Sequence, residues 1–273
     1  MEKILFLGAG SESDPVFGNC YNPNMLDPKG IKVLYTAVES CHGCPDLMSK
    51  YSKELQSLVD EGNRVVAVLE GGLYFALPSI QATQTTFPII SCPLDIVAYQ
   101  GFMVPPGHAA IATVGIEKKI EGTKDYETTQ RTKAINLAVD MLSLDTDSVD
   151  LWGLCVDMHV PRKEIGKYDI KEKANSKLAL AYHESPFEGP KSIQIWADSV
   201  GGPLTGDYIQ QQESLLAKSN ALQVRGVQNL AIYAAKILSL SNPELREQIK
   251  KIKDDKRKKY EERDLLEELR GGK

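Results

Sequence analysis

The chain has 273 residues, 42% of them apolar and 25% charged, with a formal net charge of −5. That length holds one large domain, or a domain of about 150 residues plus a second unit, and the acidic balance argues against a general nucleic-acid or membrane-surface role. No apolar run approaches the ~20 residues that span a bilayer, no secretory signal opens the chain, and five scattered cysteines, an odd number, fit reduced thiols in a cytoplasmic protein.

Ile4, Leu5, Phe6 and Leu7 form a short run that can be buried on both faces, as a central parallel strand requires. Gly8, Ala9 and Gly10 follow, then Ser11, Glu12, Ser13 and Asp14. Small residues let backbone amides approach an anion, and the serines and aspartate can hold a phosphate and a ribose. Residues 15–30, rich in Pro, Gly and Asn, read as loop. Residues 31–38 (IKVLYTAV) predict a second strand, and apolar spacing over residues 46–61 predicts a helix started by Pro45 and ended by Gly62. Residues 65–69 (VVAVL) predict a third strand, closed by Glu70, Gly71 and Gly72. A helix is expected over residues 73–83, and strands over 87–91 and 109–116. Short apolar runs at about 25-residue intervals describe a parallel α/β sheet.

Beyond residue 116 the pattern loosens. A helix is expected over residues 133–144 and strands over 151–156 and 192–196. A long helical region is expected over residues 210–240, broken near Gly226, and a charged helix from Pro243 to about residue 269. The Lys/Arg/Glu run in that helix reads as a solvated face. Residues 130–144 and 223–240 echo one another: each places Gln six residues before Asn-Leu-Ala and ends in Leu-Ser-Leu. An internal duplication and two amphipathic helices of similar composition both account for this.

Two chemistries compete at the end of the second strand. His42 is the side chain suited to giving and taking a proton near neutrality. It stands inside Cys41-His42-Gly43-Cys44, a C-x-x-C motif opening a helix, where the helix N-terminus favours a thiolate. A redox or metal role for Cys41 and Cys44 therefore stands beside the proton-transfer role, as do a non-catalytic nucleotide-binding protein and a reading in which both cysteines are small, partly buried hydrophobes.

Six segments in order resemble one family, the aminoimidazole ribonucleotide carboxylases and carboxyaminoimidazole ribonucleotide mutases of purine biosynthesis. They are Gly10 to Asp14; Ser40-Cys41-His42-Gly43; Gly71 to Pro78; Thr85-Thr86-Phe87-Pro88-Ile89-Ile90; Val104-Pro105-Pro106-Gly107 with Ala112-Thr113-Val114; and Asn229 to Leu238. The resemblance implies a flavodoxin-like three-layer α/β sandwich with a parallel sheet, formed by residues 1–116 and 223–250. It leaves residues 117–222 as an inserted α+β segment of unknown role and residues 251–273 as a charged C-terminal helix or tail. It also implies a homo-oligomer, an octamer in the family, whose terminal helix packs on a neighbouring subunit. The implied reaction is carboxyl transfer, of lyase or isomerase class, on a nucleotide with carbon dioxide, in a pocket without metal or cofactor. His42 is the implied proton shuttle. Gly10, Ser11, Ser13, Asp14, Ser40, Gly71, Gly72, Pro106, Gly107 and His108 are the implied substrate contacts. The family's cation after the histidine is Gly43 here, and the histidine often found before Leu-Pro is Ala76.

Overall fold

The structure, a computed structural model, describes residues 1–10, 29–37, 43–72, 77–102, 109–151, 158–182, 193–198 and 206–261. The first strands form where apolar, β-branched runs demand burial on both faces: β1 (Lys3–Ala9), β2 (Ile31–Ala37), β3 (Arg64–Gly71), β4 (Ile89–Pro93) and the two-residue β5 (Ala112–Thr113). Three helices belong to this half: α1 (Pro45–Asp60), α2 (Leu77–Gln84) and α3 (Ile96–Phe102). After β5 come α4 (Thr129–Leu142), β6 (Ser148–Leu151), α5 (His159–Gly166), β7 (Lys171–Glu172) and β8 (Leu178–Tyr182). The chain continues through β9 (Ile193–Asp198), α6 (Gly206–Lys218), β10 (Ala221–Arg225), α7 (Gly226–Leu238) and α8 (Pro243–Glu261).

All ten strands join one sheet in the order β2-β1-β3-β4-β5-β10-β9-β8-β6-β7. Every pairing is parallel except β5 with β10, where Thr113 faces Gln223. The sheet is therefore mixed, not the all-parallel sheet expected. Alternation along β1 sends Leu5 and Leu7 into a core shared with α4, α5, α7 and the start of α8, and Ile4 and Phe6 into a second core under α1, α2, α3 and α6. No described helix is long and apolar enough to cross a membrane.

The second five strands repeat the order of the first five. β6 lies between β7 and β8 and is followed outward by β9 and β10, as β1 lies between β2 and β3 and is followed by β4 and β5. Because β5 and β10 meet antiparallel, the carboxyl ends of the two sets lie at opposite edges of the sheet. The helices with the Asn-Leu-Ala echo, α4 and α7, each follow the last strand of their half. Each also reaches across the seam. From α4, Lys133 Nζ donates to the Leu216 carbonyl at 2.9 Å and Gln130 Nε2 to the Ala217 carbonyl at 3.3 Å. From α7, Tyr233 Oη donates to the Ile89 carbonyl at 3.0 Å and Lys236 Nζ to the Ala110 carbonyl at 2.9 Å. The two halves are thus bonded to one another through both helices, by different residues on each side. Residues 117–222, which the resemblance leaves uncovered, supply α4, α5, α6 and β6–β9 to this same sheet and its faces.

Several expected elements differ. The region 210–240 is not one broken helix: β10 lies inside it, fully paired with β9, and Gly226, at φ +72°, begins α7 where a Cβ would be strained. β8 (LALAY), buried at every position, was not expected, since Leu and Ala favour helices and only the sheet's two-sided burial decides the matter. The expected strand over 109–116 shortens to β5, and the helix expected at 133–144 begins at Thr129. The charged α8 is not purely a solvated face. Leu245 and Ile249 enter the core, and Arg246 and Lys253 are each only 9% exposed.

Candidate functional site

The carboxyl ends of β1, β3 and β4 form one rim. The register pairs Ala9 with Glu70 and Gly71 with Pro93. The turn after β1 is tied to that rim, because the Gly10 amide donates to the Glu70 carbonyl at 2.8 Å. The Leu94 amide donates to the Gly71 carbonyl at 3.0 Å, extending the rim past β4. Asp95 then caps α3 by accepting from the Ala98 amide at 2.8 Å. Two glycines here lie close to side chains. A Cβ at Gly8 would lie 2.8 Å from Leu69 Cδ2, and one at Gly72 would lie 3.1 Å from Asp95 Oδ2.

Beneath the rim is a buried ionic cluster. Arg131 Nε, from α4, stands 2.9 Å from Glu70 Oε2 and 3.6 Å from Glu117 Oε2, with all three side chains no more than 3% exposed. The Arg131 amide donates to Glu117 Oε2 at 2.9 Å, and Arg131 Nη2 donates to the Glu127 carbonyl at 3.1 Å. Burial pushes the Glu117 carboxyl above its ordinary value, against the pull of the Arg131 and Gln130 amides and the Arg131 charge. The cluster fixes the end of β3. It also engages Arg131 with two carboxylates, so this guanidinium does not replace the cation missing at Gly43.

Of the expected site residues, the structure brings together Gly10, Gly71 and Gly72 at this rim. Ser11, Ser13, Asp14, Ser40, Cys41, His42, Pro106, Gly107 and His108 lie outside the described residues. Cys44 stands at the N-cap position of α1, half-buried, with Pro45 in the first turn. Sequence reasoning missed the Glu70–Arg131–Glu117 cluster and Asp95. Glu70 carried a signal, an acid ending an otherwise apolar strand. Arg131, sixty-one positions further on, carried none. Among the described residues, no group of three or more His, Cys, Asp or Glu side chains is placed to hold a metal ion.

No family model matches the chain, and no curated protein sequence matches it. Among solved structures, a probable cytoplasmic L-asparaginase from Campylobacter jejuni is similar at 9% identity, over 91% of this chain and 99% of that one, with a TM-score of 0.24. A likeness so slight carries no argument. The described residues define the class alone: an α/β protein on a ten-stranded, mostly parallel sheet.

Proposed function

We propose that the first half is a flavodoxin-like unit whose strand-end rim binds a phosphate-bearing nucleotide, and that the protein carries out carboxyl transfer on an aminoimidazole ribonucleotide-like substrate. The observation that carries this reading is the order β2-β1-β3-β4-β5 with the Gly10 turn hydrogen-bonded to Glu70. In open α/β sheets with that order, ligands sit outside the carboxyl ends of the strands at the β1/β3 switch point. Two of the segments that carry the family resemblance, 11–14 and 40–42, follow in the chain with one residue between the first and the end of β1 and two residues between the second and the end of β2.

In this reading Ser11, Ser13 and backbone amides hold the phosphate and Asp14 the ribose hydroxyls. His42 takes the proton from the ring carbon as the carboxyl group is added and returns it as the group leaves. Carbon dioxide is the one-carbon partner. With Gly43 in place of a cation, phosphate binding loses a charge-assisted contact worth ~1.5–3 kcal/mol unless another basic group supplies it. The second half repeats the strand order but not the cradle, since Trp152-Gly153-Leu154-Cys155 follows β6 where Ser11-Glu12-Ser13-Asp14 follows the first strand's turn. One site per chain is therefore expected.

The seam between the halves bears on assembly. The terminal helix that packs on a neighbouring subunit in the family has an internal counterpart in α7, which bonds to β4 and to the strand-leading Ala110 of the other half. A homo-oligomer of such chains remains part of the proposal. A redox reading rests on Cys44 at the start of α1. Replacing Cys41 and Cys44 together by serine separates the two: carboxyl transfer persists if His42 carries the chemistry, and activity is lost with the fold intact if the thiols do.

A further inference from the structure

At the edge opposite the rim, where β3 and β4 begin, α8 lies across the ends of α1 and α2. Arg246 Nη1 donates to the Val59 carbonyl at 2.8 Å, and Lys253 Nζ donates to the Ala82 carbonyl at 2.6 Å and to the Thr85 carbonyl. The three helices enclose a cavity of about 560 Å³, within the range of small-molecule sites. Polar side chains brace its walls: Gln84 Nε2 donates to Ser49 Oγ at 2.9 Å, and the Thr86 amide donates to Gln56 Oε1 at 2.8 Å.

The charge of the lining runs against that of the whole chain. Lys53, Lys250, Lys253, Lys256 and Arg257 line the cavity, with Asp254 the one acid among the lining residues. Outside the lining, Asp60 stands 3.7 Å from Lys250, and Glu261 accepts from Arg257 Nε at 2.6 Å. Even with both carboxylates counted, cations are in excess, in a protein of net charge −5. Two of them line the cavity without a carboxylate contact among the described residues: Lys53, exposed on α1, and Lys253, 9% exposed and hydrogen-bonded to the Ala82 and Thr85 carbonyls. A cleft with a low-dielectric floor and one sign of charge concentrates counter-ions of the opposite sign.

We propose that this cavity binds an oligophosphate anion, with Lys53 and Arg257 meeting it from the two walls and Lys253 supplying charge from the floor. The site is separate from the strand-end rim and does not depend on the reading given for it. Burial lowers Lys253 to about 7, so at neutral pH and above much of its charge is absent until an anion arrives. The groups that face it are Asp254, Lys250, Lys256 and Arg257 of α8, Lys53 of α1 and, from α7, the fully buried Lys236, which burial first and the Lys253 charge second hold well below the ordinary ammonium value. An anion seated here draws a proton onto Lys253, and binding weakens as pH rises above neutrality.

The test is calorimetric titration of inorganic tripolyphosphate into the full chain at pH 8, in two buffers of different ionisation enthalpy. Saturable binding is expected, tenfold or more weaker in the Lys53→Gln/Arg257→Gln double variant, whose changes are on exposed side chains. Proton uptake on binding is expected to be smaller in Lys253→Met. Absence of saturable binding below millimolar concentration overturns the proposal. So does binding unchanged in the double variant, which places the anion elsewhere, the strand-end turn included. If Lys253→Met does not fold, the double variant decides alone.

Discussion

The guanidinium of Arg131 lies 2.9 Å from the carboxylate of Glu70, and both side chains are buried at the end of the strand that anchors the candidate site. One cation between two carboxylates holds only while all three remain. Removing one member of a buried ionic group costs ~3–5 kcal/mol, because the charge left behind has no solvent. Arg131→Met is therefore expected to lower unfolding stability by about that amount, read from the urea midpoint. A loss under 1 kcal/mol would mean that the cluster does not hold the strand end.

Lys253 folds with its ammonium lowered from 10.5 to about 7 by burial. Between those values the unfolded chain binds the proton and the folded chain does not, so this group makes stability rise with pH across the window and fall as pH drops toward 7. The slope contributed by one such group approaches about 1.4 kcal/mol per pH unit. Lys133, lowered to about 8, acts in the same direction. Urea midpoints at pH 7, 8 and 9 are expected to climb in the wild type and to climb less in Lys253→Met. Equal slopes would contradict the buried placement of Lys253.

Gly115 lies where the end of the first half meets α6. A Cβ there would stand 2.9 Å from Ala217 Cα and 3.0 Å from its Cβ, against backbone that cannot swing away. Gly115→Ala is expected to destabilise by ~1–3 kcal/mol through overpacking. Gly122, with φ +77° and open space around it, is the control for backbone strain alone. Equal effects at the two positions would remove the packing argument.

Tyr233 ties the second half to the first through the Ile89 carbonyl, and burial holds its hydroxyl well above the ordinary phenol value. Tyr233→Phe removes the donor without changing shape. It is expected to cost ~1 kcal/mol or somewhat more, since a buried carbonyl loses its partner. Thermal unfolding detects this as a lowered Tm. An unchanged Tm would mean the seam is held by apolar packing alone.

The first half was readable because its strands are bounded apolar runs. Residues 65–69 could be little else than a buried strand, and Pro45 with Gly62 framed α1. The second half was not, because its strands are written in ambiguous residues. β8 is Leu-Ala-Leu-Ala-Tyr, and β10 sits between two helices whose periodicity runs over it. The echo between residues 130–144 and 223–240 was visible, yet its meaning needed the strand order, which places both helices after the fifth strand of a repeated set. At the site, the glycines in sequence suggest room for an anion; in the fold Gly8 and Gly72 lie against the Leu69 and Asp95 side chains, and the Gly10 amide is bonded to the Glu70 carbonyl. The charge beneath them was hidden, because Arg131 joins Glu70 only through the packing of α4 on β3. Lys253 was hidden too: within a run of like charges, nothing local distinguishes the one side chain that turns inward.

The central claim, that the strand-end rim binds a nucleotide for chemistry by His42, is tested most directly by titrating aminoimidazole ribonucleotide into the wild type and His42→Asn while following carboxyl transfer. The expected result is one nucleotide bound per chain in both proteins, with dissociation constants within about tenfold, or ~1.4 kcal/mol, and turnover only in the wild type. No saturable binding up to millimolar nucleotide, or undiminished turnover in His42→Asn, would contradict it.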